Sequence, residues 1–437
     1  MSALLLVLET LLAPLAALGV VLSFLFSQRR GLLTALAAEL PERLGGLSDA
    51  GRARLLGRRT WWLHAASAGE VAGLSPLIDA LYARGEPLAV LVTTTTAAGR
   101  DAARANPKVA WAQLAPLDAW PCLRRFLDET RPQRLVLSET ELWPSTILLA
   151  ARAGLRPVLI NARMTARSLP RYRAASVFLR PALESLDAVL AQSDLDAERF
   201  RAIGVPAERL SVTGNTKYDR LPAHPDGTAG AGALELLGWT TAPLFVAGST
   251  HPVEEEAVLD AFARASVAVP ALRLVIAPRH VERAEGLLSV LRERGIPFAR
   301  YSALDEAAPG ARILVLDRMG ALGSFWPKAS AAFVGGTLVP VGGHNLLEPA
   351  FAGVPVLFGP HTRHIEHPAV LLENGGGGFR VADGSGLALA LADLLIDPPR
   401  ARGVGSKARE LARRLAGATS RTLAALDASA PSGEMIK

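Results

Sequence analysis

The sequence predicts an α/β protein with two Rossmann-like, doubly wound domains in one chain, preceded by an apolar N-terminal helix. Three observations predict it. The 437-residue length is too great for one compact core and suits two domains with a short appendage. Apolar runs of strand length alternate with amphipathic helical stretches, the mark of a parallel sheet covered on both faces. A stretch rich in Pro, Gly, Ala and Asp at 219–242 separates two such series and reads as an interdomain linker.

At the start of the chain, residues 3–26 are apolar over a length that can span a bilayer, broken by Glu9 and Thr10. A basic start and a small-x-small cleavage site are both missing, so 1–27 reads as a retained membrane anchor. Arg29 and Arg30 follow at once, which places the rest of the chain on the cytoplasmic side. From 27 to 59, Arg29, Arg30, Arg43, Arg52, Arg54, Arg58 and Arg59 outnumber Glu39, Glu42 and Asp49. That excess suits an anionic membrane surface, each basic residue there contributing about 1 kcal/mol. A hydrophobic helix packed on the protein itself is the alternative, because Glu9 is costly at a bilayer centre.

The first domain, 28–218, carries the strand-like runs TWWLHAAS (60–67), PLAVLVTTTT (87–96), QRLVLSET (133–140), RPVLINAR (156–163), LDAVLAQS (186–193) and LSVTGN (210–215). The second, 243–405, repeats the pattern after APLFVAGST (242–250) with LRLVIAPRH (272–280), ARILVLDR (311–318), AAFVGG (331–336), VPVLFGP (354–360) and GFRVAD (378–383). A last helical stretch, 406–426, opens a C-terminal segment that runs to 437.

Composition and missing motifs exclude several function classes. The net charge of +6 and pI of about 9.9 suit anionic lipid, phosphorylated ligands or nucleic acid. No long basic run with interleaved aromatics occurs, which argues against nucleic acid. Cys122, the single cysteine, cannot form an intrachain disulfide or a cysteine-based zinc site. No G-x-G-x-x-G follows the first strand of either half, and neither a P-loop nor a serine nucleophile elbow is present. DLD (194–196) reads as the cap of an amphipathic helix, and HTRHIEH (361–367) lacks the spacing of H-E-x-x-H.

Nearly every apolar run ends in polar residues or glycine, and ligands of open α/β sheets bind beyond the carboxyl ends of strands. Polar ends in both series point to a cleft between the two domains. In HAASAGE (64–70), Glu70 sits at a helix start, either as a cap or as a reactive carboxylate. SETELWP (138–144) puts Glu139 and Glu141 two residues apart, close enough to separate in pKa and divide acid–base work. Five of the 47 basic residues are lysines, so Lys217 in GNTKYD stands out as a point charge for a phosphate or carboxylate. Arg279 in PRH can clamp a phosphate through two parallel hydrogen bonds. GGTLVPVGGHNLLEPAFAG (335–353) predicts a glycine loop running into a helix near His344 or Asn345. Its amides would meet a nucleotide phosphate, and Glu348 would meet ribose hydroxyls.

These runs, with TTTTAAGR, INARMTARS, GSTHPVEEE, APRHVER and FGPHT in order between about 60 and 362 and PERLG at 41–45, closely resemble the Kdo (3-deoxy-D-manno-octulosonic acid) transferases of lipopolysaccharide synthesis. The resemblance implies a GT-B type glycosyltransferase of the inner membrane. Such an enzyme is inverting and needs no metal or cofactor. It would move Kdo from CMP-Kdo to the 6′-hydroxyl of a lipid A precursor, once or more than once. It implies Glu70 as general base, and Glu139 and Lys217 as stabilisers of the transition state. For CMP contacts it implies Pro278, Arg279, Met319, Gly320, Ala321, Asn345, Leu346, Leu347 and Glu348. The chain departs from the family where Ala321 stands for a usual Glu and Leu346 for a usual Pro. Another nucleotide-sugar transferase and a non-catalytic membrane adaptor, both of this fold, are the alternatives.

Overall fold

A computed structural model describes residues 39–85, 87–220 and 226–428. The expected anchor at 1–27, with Arg29 and Arg30, lies outside the described residues. Among those described, no helix is long and apolar enough to cross a membrane. The chain forms two compact units. One comprises residues up to Arg220 together with those from Gly417 onward, and the other runs from Leu221 to Ala416.

Parallel pairing throughout builds the sheet of the first unit. Its strands are β1 (Arg59–His64), β2 (Leu88–Thr94), β3 (Trp111–Leu114), β4 (Arg134–Ser138), β5 (Arg156–Ala162), β6 (Ala188–Ala191) and β7 (Leu210–Val212), ordered β3-β2-β1-β4-β5-β6-β7. Side chains alternate across such a sheet. Trp62 therefore enters one core, 4.7 Å from the Phe126 ring, while Trp61 and Leu63 enter the core on the opposite face. Burial on both faces explains the near-continuous apolar character of these strands. β1 lies between β2 and β4, so the strand order reverses there, and the carboxyl ends of β1 and β4 flank the switch point.

Residues 39–59 pack onto this unit. Glu42 accepts the Leu114 N–H at 2.7 Å and pairs with Arg100 and Arg104, each at 3.3 Å. The Arg43 guanidinium donates to the Thr95 carbonyl at 2.6 Å, and Arg52 pairs with Glu129 at 2.8 Å. Arg43, expected to face anionic lipid, is thus turned inward to satisfy backbone carbonyls.

The second unit is also parallel: β8 (Leu244–Thr250), β9 (Arg273–Pro278), β10 (Phe298–Arg300), β11 (Ile313–Val315), β12 (Ala331–Val334), β13 (Val356–Phe358) and β14 (Gly378–Arg380), ordered β10-β11-β9-β8-β12-β13-β14. Its switch point lies between β8 and β12. Phe245 and Ala247 enter one core, Leu244 and Val246 the other.

Two stretches differ from expectation. The supposed linker 219–242 carries the helix Thr228–Leu236, whose Ala233 and Leu234 join Trp239 in the core of the second unit. Its alanines and leucines favour helix, and Gly230 leaves room for the Ser324 carbonyl, which a Cβ would meet at 2.3 Å. The single helix expected at 406–426 is two, Pro398–Leu415 and Ala418–Ala428, broken at Gly417 (φ +79°). The second of them belongs to the first unit. Leu423 and Leu426 enter its core, and the Asp219 carboxylate accepts the N–H groups of Gly417 and Thr419, each at 2.6 Å.

Candidate active site

Three of the expected residues converge at the switch point of the first unit. Glu70 stands in the first turn of the helix Ala68–Ala83, capped by Ser67. Its carboxylate accepts the Ala66 N–H at 2.8 Å and the Ser67 hydroxyl at 3.2 Å, so it does serve as a cap. It is also a perturbed carboxylate. Burial pushes its pKa up, and the charges of Glu139 and Glu141 add to the shift against the opposing Ala66 N–H.

Glu139 follows β4 with φ +59°, a left-handed conformation that costs a non-glycine residue roughly 1–2 kcal/mol. The Glu139 N–H is bound to the Ile160 carbonyl at 2.9 Å, and the carboxylate meets the Lys217 ammonium at 2.6 Å. Lys217 is placed in turn by residues the sequence reasoning missed. Asn161 holds Thr216 by bonds of 2.8 and 3.0 Å, the Thr216 hydroxyl donates to the Gly73 carbonyl at 2.6 Å, and Asn215 accepts the Lys217 N–H at 2.9 Å. Gly73 gives the Lys217 stem its path, since a Cβ there would lie 2.8 Å from Lys217 Cε. INAR was noticed as a motif, but nothing local tied Asn161 to Thr216, 55 residues on.

Glu141 points to the buried His64 at 3.2 Å and accepts the Trp143 indole N–H at 2.6 Å. Burial alone would raise its pKa, yet the bonds from His64 and Trp143 hold it below the usual carboxylate range. The helix Pro144–Arg152 that follows is capped from outside by Asp118, which accepts the N–H groups of Ser145 and Thr146 and the Thr146 hydroxyl.

The remaining expected residues lie in the second unit. Pro278 ends β9 and is buried; Arg279 follows it, exposed, its N–H bound to the Thr250 carbonyl at 2.9 Å. Met319 is 74% exposed and Gly320 turns the chain at φ +81° before Ala321. Leu346 and Leu347 are fully buried packing residues that offer a ligand backbone only. Asn345 donates to Glu348 at 3.1 Å, and the other Glu348 oxygen accepts the Trp326 indole N–H at 3.2 Å.

The glycine loop differs from expectation in what its amides do. The helix expected at His344 or Asn345 starts at Leu347 and is six residues long, and the Leu347 N–H is already taken by Asn345 Oδ1 at 3.0 Å. Gly342 and Gly343 donate to the Gly336 carbonyl and His344 to that of Gly335. Gly336, Thr337 and Leu338 donate at 2.8–2.9 Å to the fully buried Glu254, which also accepts the His251 N–H at 3.0 Å. The glycines serve chain on chain: a Cβ at Gly335 would lie 2.3 Å from the Ser249 carbonyl. His251 and His344 stack with Nε2 atoms 2.9 Å apart, and burial lowers the His344 pKa to about 4, aided by charge on His251 and Arg279. Among the described residues no group of three or more His, Cys, Asp or Glu side chains could hold a metal ion. DLD opens the helix Asp194–Ala202, with Ser193 as cap.

Glu255, next to the anchor Glu254, is pushed up to about 7 by burial, against the nearby Arg283 at 3.7 Å. The folded state therefore binds this proton more tightly than the unfolded state, so stability is full below about pH 4.5 and declines as pH rises towards 7. Glu255→Gln is expected to raise Tm by roughly 5 °C at pH 8.5 and to leave it unchanged at pH 4.5, read by calorimetry at both pH values.

Comparison with known proteins places these features in context. Residues 38–220 match the family model described as 3-Deoxy-D-manno-octulosonic-acid transferase (kdotransferase). The chain is 34% identical over 379 residues to the 3-deoxy-D-manno-octulosonic acid transferase of Bordetella pertussis, covering 84% of this chain and 86% of that protein. It is 32% identical over 302 residues to the protein of the same name in Haemophilus influenzae, covering 69% and 70%. In fold it is similar to HepE of Anabaena in complex with UDP (TM-score 0.57, 13% identity, 85% of this chain and 100% of that one). The UDP-GlcNAc 2-epimerase of Neisseria meningitidis bound to UDP-GlcNAc is similar to the same degree (TM-score 0.57, 12% identity, 85% and 100%). Two parallel, doubly wound units of this kind make a GT-B type fold.

Proposed function

We propose, from the premise that this chain belongs to the 3-deoxy-D-manno-octulosonic acid transferase family, that it transfers Kdo from CMP-Kdo to the 6′-hydroxyl of a lipid A precursor. The observation that carries the reading is the convergence of Glu70, Glu139 and Lys217 at one switch point, with Glu70 made more basic by burial and by two neighbouring carboxylates. A raised carboxylate is a competent acceptor for an alcohol proton. Glu70 takes the proton of the attacking hydroxyl, whose oxygen bonds to the ketosidic carbon as the bond to the CMP phosphate breaks, with inversion. Glu139 offsets the positive charge that develops at the oxocarbenium-like carbon, Lys217 offsets negative charge on the leaving phosphate, and Arg279, which has no ion-pair partner among the described residues, binds the donor phosphate. No step calls on a metal or cofactor.

The second unit binds the donor with Pro278, Arg279, Met319–Ala321 and Asn345–Glu348. At Ala321 the contact is through backbone. The protein acts at the cytoplasmic face of the bacterial inner membrane, held by an anchor over 1–27, and the arginine-rich segment after it draws in the phosphorylated acceptor. Mass spectrometry of the lipid after incubation with CMP-Kdo and precursor should show Kdo added, with CMP released. CMP should protect the protein against heat and UDP should not. Unchanged precursor with intact donor would overturn the reading.

A further inference from the structure

We propose that His64 is a positioning residue of this reaction: through a directed chain of hydrogen bonds from Trp62 and Thr93 it fixes Glu141 as a carboxylate beside Glu70. The proposal rests on the functional reading above.

The chain starts inside the sheet. β1 and β2 pair in register with His64 opposite Thr93, which brings their side chains to the same edge of the switch point. Trp62 Nε1 lies 2.7 Å from Thr93 Oγ1, and His64 Nδ1 lies 2.9 Å from the same oxygen. An indole N–H can only donate. Thr93 Oγ1 therefore accepts from Trp62, and its own hydroxyl proton is free to be donated to His64 Nδ1. On the far side of the ring, Nε2 faces Glu141 Oε2 at 3.2 Å. In the tautomer whose Nδ1 accepts from Thr93, Nε2 carries the proton and donates to Glu141. Every bond runs the same way, from Trp62 to Thr93 to His64 to Glu141, and Trp143 Nε1 donates to the same carboxylate oxygen at 2.6 Å.

Two donors on one oxygen of the half-buried Glu141 keep it negative where burial would neutralise it. That charge is one of the two that raise Glu70. The other, Glu139, is paired with Lys217. Other ionisable groups around the chain are Tyr172, from the helix Leu169–Ala174, which feels Glu141; Asp118, from the loop after β3, which feels His64; and Arg43, which lines the same cavity as Trp62, His64, Asp118 and Trp143 and donates to the Thr95 carbonyl. Loss of the His64 bond lets Glu141 take a proton, and Glu70 then becomes a weaker base.

The test is kcat and KM against pH for wild type, His64→Leu, His64→Gln, Glu141→Gln and the double variant His64→Leu/Glu141→Gln. Both His64→Leu and Glu141→Gln should lower kcat by about tenfold with donor KM unchanged, and both should move the acid limb of the profile to lower pH. The double variant should be no worse than either single one, because both remove the same charge. His64→Gln, whose amide can still donate to Glu141, should restore the wild-type limb. Additive losses, or an acid limb that stays in place in Glu141→Gln, would overturn the proposal. If His64→Leu does not fold, His64→Phe, which keeps a ring but cannot donate to Glu141, takes its place, and a wild-type limb in His64→Phe would overturn the proposal. A wild-type protein without turnover would instead overturn the functional reading, so the two failures are told apart.

Discussion

Glu70→Gln is expected to lower kcat by about a thousandfold while CMP still protects the protein against heat. The glutamine oxygen can keep the bond from the Ala66 N–H, so the start of the helix Ala68–Ala83 survives. What it cannot do is take a proton. The two roles that this side chain fills are separated by the variant. A helix cap is worth about 1 kcal/mol, which would show as a small fall in Tm and little change in rate. A general base shows as a large fall in rate with Tm nearly unchanged. The wild-type profile should support this. The folded pKa of Glu70 is raised, so the active ionised form exists above that value and activity falls as pH drops through it. The fall should occur at a higher pH than the value of about 4.3 typical of glutamate. Steady-state kinetics from pH 4 to 9 with matched calorimetry would settle it. An active Glu70→Gln enzyme would sink the assignment.

Glu254→Ala is expected to destabilise the second unit by about 3–5 kcal/mol and to abolish donor binding. Four backbone N–H groups end on this one buried carboxylate, from His251, Gly336, Thr337 and Leu338. Removing it leaves four donors without an acceptor, of which the buried two, from Gly336 and Thr337, cost about 1–3 kcal/mol each before the loop relaxes. A loop that relaxes no longer holds Gly336 against His344 or Gly335 against the end of β8. Calorimetry should show a transition lowered by roughly 10 °C. Isothermal titration should show no CMP binding. Glu254→Gln, which keeps one accepting oxygen, should fall between. A Glu254→Ala protein with wild-type Tm and CMP affinity would refute this account of the loop.

The long central strands were legible in the sequence because β1, β2, β4, β5, β8 and β9 are buried on both faces and so are nearly uniformly apolar. The edge strands β3 and β10 were not. They are four and three residues long, and Gln113 and Arg300 interrupt their apolar character. Glu70, Glu139 and Lys217 stood out as polar residues at strand ends, yet their convergence depends on the Asn161–Thr216 clamp, which no local pattern encodes. The glycine loop was legible as backbone of special conformation, with Gly342 at φ +113° and Gly343 at φ +90°. What holds it was not, because the carboxylate that gathers the amides of Gly336, Thr337 and Leu338 lies 82 residues before Gly336, in GSTHPVEEE. His64 lay within a quoted motif, but its partner Thr93 comes from another strand, and strand register is a tertiary fact.

The return of the helix Ala418–Ala428 to the first unit makes the second unit a guest threaded into a host. Synthesis runs from one end, so the host is made first but finished last. While residues 221–416 emerge from the ribosome, the host lacks Leu423 and Leu426, and Asp219 lacks the amides it binds. The guest needs nothing that comes later and can fold at once. A premature stop after residue 416 would therefore injure the half of the molecule that carries Glu70, although that half was translated long before.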